Sequence, residues 1–308
     1  NGDAALPLAV AQFRSGDNGA ARAALEGLIA EHPADAIAAF HLGLLCEQAA
    51  DVDDAERHYR DALAINPAYG DAQVHLGSLL LRLSRSAEAL PLLMRAWNPA
   101  RPKGDLAAAI ARAHLDLGSF EGAVEFAGIG TSLAPMASSA WLVLGTALRR
   151  TGQALRAQEA LGRTLQLAPD NALALAELGC NDINLGHYAS GLARLERARV
   201  IAPDWTVLRW LDALALPVLP EDADETRRAL DRFRDGIDAL IADLDSGERE
   251  VVDSAGLGLE RAQPFNLHYL PADTTQLSLR YGDLVESAMR HIAGDDWFAP
   301  VGWRALAH

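Results

Sequence analysis

The chain has only two cysteines, few aromatic residues and a single lysine. Its two cysteines, Cys46 and Cys180, are too few for a disulfide framework, so we expect a reducing compartment, the cytoplasm. Aromatic residues make up 6% of the 308 residues, and the abundant alanine and leucine favour helices over a β-sandwich. The only lysine is Lys103.

Positive charge and long apolar runs are scarce as well. Lys and Arg number 27 against 42 Asp and Glu, which gives a net charge of -15. A phosphate-binding surface needs clustered positive charge, so this composition argues against nucleic acid as a partner. No apolar run reaches the ~18–20 residues that span a bilayer. The start, Asn1-Gly2-Asp3, has neither the basic nor the apolar region of a signal peptide. We therefore expect no membrane partner.

The first two-thirds of the sequence follows a 34-residue period. Prolines recur on this grid at Pro33, Pro67, Pro135, Pro169 and Pro203. A column of small residues runs through Ala9, Gly43, Gly77, Ala111, Gly145 and Gly179. Two further small columns keep the same register. One runs through Ala21, Ala55, Ala89, Ala123, Ala157 and Gly191, and the other through Gly16, Ala50, Ser84, Gly118, Gly152 and Gly186. Columns that stay aligned through six units without an insertion indicate a structural repeat.

Each column has a physical explanation. Small residues in the Gly43 column and in the Ala55 column allow two antiparallel helices to approach closely. The Gly16 column falls where the first helix of each unit must end and turn. Proline closes each unit because it cannot continue the preceding helix. The period therefore predicts a pair of antiparallel helices in every unit.

Residues inside the units match the pattern of a known repeat. In the fifth unit Trp141, Leu144 and Gly145 precede Ala157 and Pro169. This order of an aromatic, Leu-Gly, Ala and Pro resembles the tetratricopeptide repeat (TPR) family. The resemblance covers residues 2–204 as six repeats. It implies an all-α, right-handed superhelix with a concave groove lined by the first helix of each pair.

Pro7 occupies a helical position of the first repeat, so we expect its first helix to be frayed or to start late. After Pro203, a capping helix that stops before Pro217 is predicted by Trp205, Leu208, Leu211 and Leu214. From Pro217 the period is lost. We therefore assign residues 1–204 to the repeats and residues 205–308 to a helical cap and connector.

Three features of the last hundred residues can be predicted. Residues 222–244 have the pattern of a long amphipathic helix. Residues 246–259 predict a short helix that ends in the turn Gly256-Leu257-Gly258. Near the end, Trp297, Phe298 and Trp303 lie close together in the sequence. Exposed aromatic residues favour a partner surface.

The connector carries a second resemblance. The run Phe265-x-Leu267-x-Tyr269, followed by Leu277 and by Tyr281-Gly-Asp-Leu284, is similar to the stretch that joins the TPR array to the catalytic half in bacterial O-linked N-acetylglucosamine transferase-like proteins. The resemblance covers about residues 205–295. It implies a following glycosyltransferase domain that would use a nucleotide sugar such as UDP-GlcNAc. No strand, Gly-rich loop and helix unit precedes His308, so we assign no catalytic residue and no cofactor to these residues.

The repeat register places candidate partner-binding residues on the first helices of repeats 2 to 6. Their mixture of apolar and polar groups suits an extended or helical peptide. The candidates are Phe40, His41, Leu44, Gln48, Val74, His75, Ser78, Arg82, Arg112, Leu142, Thr146, Arg149, Glu177, Cys180 and Asn184.

His41 and His75 lie one period apart, so we expect them to be neighbours in the groove. A metal pair is one interpretation, but no cysteine or carboxylate cluster at ligand spacing joins them. We favour a hydrogen-bonded spacer and predict no metal. The Asn ladder of the transferases and the Lys/Asn clamp of chaperone-binding TPR proteins are both missing. Arg149 and Arg150 could hold an acidic peptide, although we favour the interpretation that one of them is solvated or paired with a nearby Asp or Glu.

Two functional hypotheses stay open. In the first, the chain is an interaction module that recognises the acceptor protein for a bacterial protein O-glycosyltransferase, with flagellin as one candidate acceptor. In the second, it is a stand-alone TPR scaffold or chaperone without catalytic activity. An enzyme within residues 205–308 is disfavoured because no polar constellation is present there. The oligomeric state is left open by both hypotheses.

Overall fold

The fold of the chain is all-α. A computed structural model describes residues 2–262 and 264–294, in which sixteen α-helices and one 3-10 helix occur and no strand is present. No helix within these residues combines the length and the apolar character needed to cross a bilayer. Trp297, Phe298 and Trp303 lie outside the described residues. The predicted all-α class is confirmed.

Twelve helices form six antiparallel pairs, one pair in each unit of the 34-residue period. Their bounds are α1 (Gly2–Arg14), α2 (Asn18–Glu31), α3 (Ala36–Gln48), α4 (Val52–Ile65), α5 (Gly70–Arg82), α6 (Ser86–Ala96), α7 (Gly104–Asp116), α8 (Phe120–Leu133), α9 (Ser138–Arg150), α10 (Ala154–Leu167), α11 (Ala172–Asn184) and α12 (Tyr188–Ile201). The six predicted helix-turn-helix repeats are therefore confirmed.

The late start expected for the first helix is wrong, whereas the alternative, a frayed first helix, stays a prediction. Helix α1 begins at Gly2 and contains Pro7. A proline lacks the N–H that would bond the carbonyl four residues earlier, which here belongs to Asp3. This loss falls within the first turns of the helix, where few backbone bonds depend on it.

Five further elements follow the repeats: α13 (Val207–Ala213), α14 (Ala223–Asp245), α15 (Arg249–Arg261), a 3-10 helix (Phe265–Tyr269) and α16 (Thr275–Ala293). The capping helix before Pro217 and the long amphipathic helix are confirmed.

The turn predicted at Gly256-Leu257-Gly258 is wrong, because α15 continues through it. Gly258 lies directly against the completely buried indole of Trp210, and a Cβ there would overlap the ring. The glycine serves helix packing and not a turn.

The helices belong to two compact units, Asn1–Ala147 and Leu148–His308. Helix α9 begins in the first unit and ends in the second, so the repeat pattern runs through both. The predicted division was a different one, between the repeats of residues 1–204 and a cap and connector of residues 205–308. The two compact units do not test it, so it stays a prediction.

Close helix approach explains two of the small columns in the first unit. A Cβ added to Gly43 would lie 2.5 Å from Cε1 of Tyr59, and one added to Gly77 would lie 2.6 Å from Cδ2 of Leu93. Ala55 and Ala89, on the opposing helices α4 and α6, are completely buried. A larger side chain in either column would force the paired helices apart.

The third small column supplies the turn after each first helix. All six of its members have a positive φ, from 58° at Ser84 to 87° at Gly186. This left-handed region ordinarily favours glycine, yet Ala50 also adopts it, with a φ of 59°. After α3 the N–H of Asp51 donates to the carbonyl of Cys46 at 2.9 Å, which closes the helix end.

The core of the second unit surrounds α13. Trp210 on α13 and Phe233 on α14 are completely buried, as are Leu195 on α12 and Leu284 on α16. Helix α13 packs against α12, α14 and α15. The apolar face of the last repeat is thus buried by the helices that follow it, as stacking requires at the end of a repeat array.

Close approach at Gly43 can be tested by adding one methyl group. Because Tyr59 is completely buried, we expect Gly43→Ala to lower the free energy of unfolding by about 1 to 3 kcal/mol, the usual range for overpacking. The matched control is Gly27→Ala in α2, where an added Cβ meets nothing within 4 Å. That change should raise stability by about 0.5 to 1 kcal/mol. Equal urea denaturation curves for the two variants would contradict this explanation.

Candidate functional site

The first helices of repeats 2 to 4 form one side of the first unit. Helix α3 packs against α1, and α7 packs against α5. Side chains join α3 to α5, since the ring centroids of Phe40 and His75 are 5.3 Å apart. We call the exposed part of α3, α5 and α7 the first-helix surface. It contains the candidates that the sequence places in repeats 2 to 4.

An aromatic–histidine cluster lies at the centre of this surface. The buried ring of Phe40 contacts four others, with centroid distances of 5.1 Å to Tyr69, 5.3 Å to His75, 5.4 Å to His41 and 5.8 Å to Tyr59. His41 and His75 are therefore separated by Phe40, which touches both. The contacts with Tyr69, His75 and His41 are edge-to-face, a geometry that holds rings in defined orientations.

The two histidines differ in their polar contacts. Nδ1 of His75 lies 3.6 Å from Oε2 of Glu47. Nδ1 of His41 is buried and has no hydrogen-bond partner among the described residues. Burial lowers the pKa of His41, and the nearby Arg14 guanidinium lowers it further, so its imidazole is neutral at pH 7. Within residues 2–262 and 264–294 no group of three His, Cys, Asp or Glu could hold a metal ion.

Glu47 organises the polar part of the cluster. Its carboxylate accepts a hydrogen bond from Tyr59 Oη at 2.5 Å and another from Arg82 Nη2 at 2.5 Å. Burial would raise the pKa of Glu47, but these two donors outweigh burial and the pKa is lowered. Burial, together with the Glu47 carboxylate, raises the pKa of Tyr59 well above its usual range. One carboxylate thus ties α3 to both α4 and α5.

Sequence reasoning missed Glu47 and Tyr59 as members of the site. Glu47 lies one helical turn after Leu44, and Arg82 follows it by one repeat period and one residue. That spacing places an acid and a base on neighbouring first helices, and it could have suggested the pair.

The remaining candidates of the first unit are placed differently. Leu44, Val74 and Ser78 are half-buried on the first-helix surface. Gln48 is exposed, and its Oε1 accepts a hydrogen bond from Asn18 Nδ2 at 3.5 Å. On α9, Leu142 is half-buried and Thr146 is buried. Thr146 therefore exposes much less surface to a partner than its position in the repeat suggested.

Arg112 already has an acidic partner. Its Nε lies 2.7 Å from Oδ1 of Asp116, and the other carboxylate oxygen of Asp116 accepts a hydrogen bond from Ser86 Oγ at 2.8 Å. Arg112 remains half-exposed at its end of the surface. An acidic partner segment would have to compete with Asp116 for this guanidinium.

Glu177, one of the candidates in the second unit, contacts the end of α15. Glu177 is only 3% exposed. It accepts hydrogen bonds from Arg149 Nε at 2.6 Å and from Arg261 Nη1 at 3.4 Å. Arg150 Nη2 lies 3.6 Å from Oε1 of Glu260. Both arginines thus pair with an acidic residue, whereas the favoured interpretation expected solvation or such a pair for one of them.

Cys180 and Asn184 lie on the same helix as Glu177. Burial raises the pKa of the Cys180 thiol to about 11, against the opposing influence of the Arg149 guanidinium. The thiol is therefore protonated at pH 7. Asn184, one turn further on, is exposed. In this unit the chain's own α15 lies beside the first-helix positions that the sequence assigns to a partner.

The network around Glu47 predicts a pH-dependent stability. A carboxylate whose pKa is lowered by folding stabilises the fold above the ordinary glutamate pKa of about 4.3, and this contribution is lost as the pH falls through the folded value. At pH 7 we expect Glu47→Gln to lower the free energy of unfolding by about 1 to 3 kcal/mol, because charge-assisted bonds to Tyr59 and Arg82 are weakened. Urea denaturation across the pH range should show the difference shrinking below about pH 4. Glu121→Gln, at an exposed position in α8, is the control and should change stability much less. A Glu47→Gln effect that is equal at acidic and neutral pH would contradict the network.

Comparison with solved structures agrees with this architecture. The chain is similar to YrrB, described as a TPR protein with an unusual peptide-binding site, with 20% identity, a TM-score of 0.51 and coverage of 60% of this chain and 95% of that chain. It is also similar to PilW, described as a widely conserved type IV pilus biogenesis factor, with 19% identity, a TM-score of 0.52 and coverage of 66% and 94%. PilF of Pseudomonas aeruginosa gives 18% identity, a TM-score of 0.53 and coverage of 66% and 92%. At these identities the likeness establishes the fold.

Sequence comparison identifies the repeats. No curated protein is significantly similar in sequence to this chain. The resemblance of residues 205–295 to a glycosyltransferase connector therefore stays a prediction. The sequence model described as "Tetratricopeptide repeat" matches residues 6–69, 48–105 and 108–172, which together make up more than half of the chain. With the helix pairs, the small columns and these matches in agreement, the chain belongs to the tetratricopeptide repeat family.

Proposed function

We propose that the chain is a protein-binding module whose first-helix surface, on α3, α5 and α7, takes up a segment of another protein. The aromatic–histidine cluster around Phe40 is the observation that carries this proposal. It combines rings with half-buried Leu44 and Val74, beside the partly exposed donors His75 and Arg82. Apolar anchors next to hydrogen-bonding groups are typical of surfaces that recognise peptides.

The chemistry of this surface favours an amphipathic segment. Leu44 and Val74 offer aliphatic contact area, and the His75 ring offers an aromatic edge. Ser78, on the same helix, supplies a hydroxyl that can both donate and accept a hydrogen bond. The Arg82 guanidinium is already bonded to the Glu47 carboxylate. An acidic side chain of the ligand therefore gains less binding free energy at this surface than an apolar one. A segment with apolar side chains on one face is therefore the best match.

The proposal is restricted to the first unit. In the second unit the corresponding position Glu177 is buried and bonded to Arg149 and Arg261. Charge reversal at Arg149 would leave two acidic groups together, so its effect on binding could not be separated from an effect on folding. We therefore assign partner contacts to repeats 2 to 4.

Acceptor recognition for a bacterial protein glycosyltransferase, with flagellin as one acceptor, is the finer form of this proposal. It rests on the connector resemblance of residues 205–295, whereas a stand-alone scaffold needs only the binding surface. The gene sequence downstream of His308 distinguishes the two. A βαβ pattern with Gly-rich turns would support the transferase, and an immediate stop codon would refute it.

Binding by the first-helix surface can be tested with peptides selected from a phage-displayed library against the whole chain. We expect Val74→Asp to weaken binding of the selected peptides by about tenfold or more, because a carboxylate at an apolar anchor must be desolvated on binding. The measurement is fluorescence anisotropy of labelled peptides. Ser78→Trp, which places a large ring on the same helix, should also weaken binding.

The matched control is Val200→Asp on α12, where the valine is 72% exposed. It should leave peptide affinity unchanged. Circular dichroism must show the same helix content for all three variants. Selected peptides that bind Val74→Asp and Ser78→Trp as tightly as the parent chain would overturn the proposal.

A further inference from the structure

A small cavity lies in the second unit between α11, α13, the end of α15 and the segment around the 3-10 helix. Its volume is about 100 Å³. Four buried aliphatic side chains form the apolar part of its wall, namely Ile183, Leu211, Leu214 and Leu216. Exposed Asn184 is also part of the lining, so the cavity opens toward solvent at the end of α11.

Two arginines line this cavity from different elements. Arg149 comes from the last turn of α9 and Arg261 from the last turn of α15. Both donate to one carboxylate, that of Glu177, at 2.6 Å and 3.4 Å. Among the described residues Glu177 is the one acidic group bonded to either arginine. Two positive charges therefore share a single negative charge.

The other polar groups at the cavity do not balance this charge. The Cys180 thiol lines the cavity, and its raised pKa keeps it protonated at pH 7. Asn266 is neutral, and its Nδ2 donates to the carbonyl of Leu216 at 3.5 Å. One unit of positive charge beside an apolar wall is an unfavourable arrangement that a small anion would relieve.

Size and wall chemistry select the kind of anion. The cavity volume corresponds to about three water molecules at about 30 Å³ each. A planar carboxylate matches the fork of a guanidinium, and a short aliphatic chain matches the leucine and isoleucine wall. A tetrahedral oxyanion such as phosphate carries more oxygens than one carboxylate, and those turned toward the apolar part of the wall would be left without a donor, which is costly.

We propose that this cavity is a binding site for a small aliphatic carboxylate, with Arg149 and Arg261 holding the carboxylate and Ile183, Leu211 and Leu214 contacting the chain. The site is separate from the first-helix surface of the first unit. It needs no peptide partner, so its existence does not depend on the proposed protein-binding function.

Isothermal titration calorimetry on the full chain tests the site with three probes: sodium butyrate, its neutral analogue butyramide, and sodium phosphate. We expect saturable binding of butyrate and none of the other two probes. Arg261→Gln removes the excess positive charge and should weaken butyrate binding by about tenfold or more, since charge-assisted hydrogen bonds are lost. Arg234→Gln is the matched control, because Arg234 lies on α14, is half-exposed and pairs with Asp231. It should leave the affinity unchanged.

A second variant separates loss of binding from loss of structure. Glu177→Gln removes the competing carboxylate and leaves both arginines to the ligand, so butyrate should bind several-fold more tightly, provided that circular dichroism shows a folded chain. Opposite effects of Arg261→Gln and Glu177→Gln would support the site. Butyramide binding as tightly as butyrate, phosphate binding in place of butyrate, or unchanged affinity in Arg261→Gln would each overturn it.

Discussion

Close approach of paired helices is the constraint on which the rest of the structure depends. At Gly43 and Gly77 the absence of a Cβ brings a first helix against a large side chain of its partner helix, Tyr59 or Leu93. Ala55 and Ala89 fulfil the same requirement from the opposite side. Because each pair is held at short distance, its apolar residues are buried between helices and its remaining face is free to interact. The 34-residue register then places equivalent positions of successive first helices side by side.

The same register gives different results in the two units. In the first unit Phe40 and Glu47 connect neighbouring helices while His75 and Arg82 remain partly exposed. In the second unit Glu177 is buried and accepts hydrogen bonds from two arginines, one of which, Arg261, lies on α15. The position in the repeat therefore determines which helix face carries a side chain. The elements outside the repeat determine whether that side chain is accessible to a partner.

Sequence alone predicted the helix pairs well, because small residues and prolines recur at fixed spacing for local reasons. It also favoured solvation or an acidic partner for one of Arg149 and Arg150, and both have an acidic partner. It did not predict the roles of Glu47 and Glu177, since the first depends on which rotamers meet across three helices and the second on α15, which has no periodic relation to the repeats. The error at Gly258 has the same origin. The local sequence around Gly258 indicates a turn. The actual role of this glycine is determined by its contact with Trp210, which lies 48 positions away in the chain.

The left-handed residues Ala50 and Ser84 imply that the repeats are not equally strong. Four of the six turns in this column use glycine, whereas these two place a side chain in a conformation that costs about 1 to 2 kcal/mol for an L-amino acid. They terminate α3 and α5, the helices that contribute the aromatic–histidine cluster. Local opening should therefore begin more readily at these two hairpins than at their glycine-closed neighbours. The two turns without glycine therefore lie beside the aromatic–histidine cluster, where easier opening would let the first-helix surface adjust to the proposed partner segment.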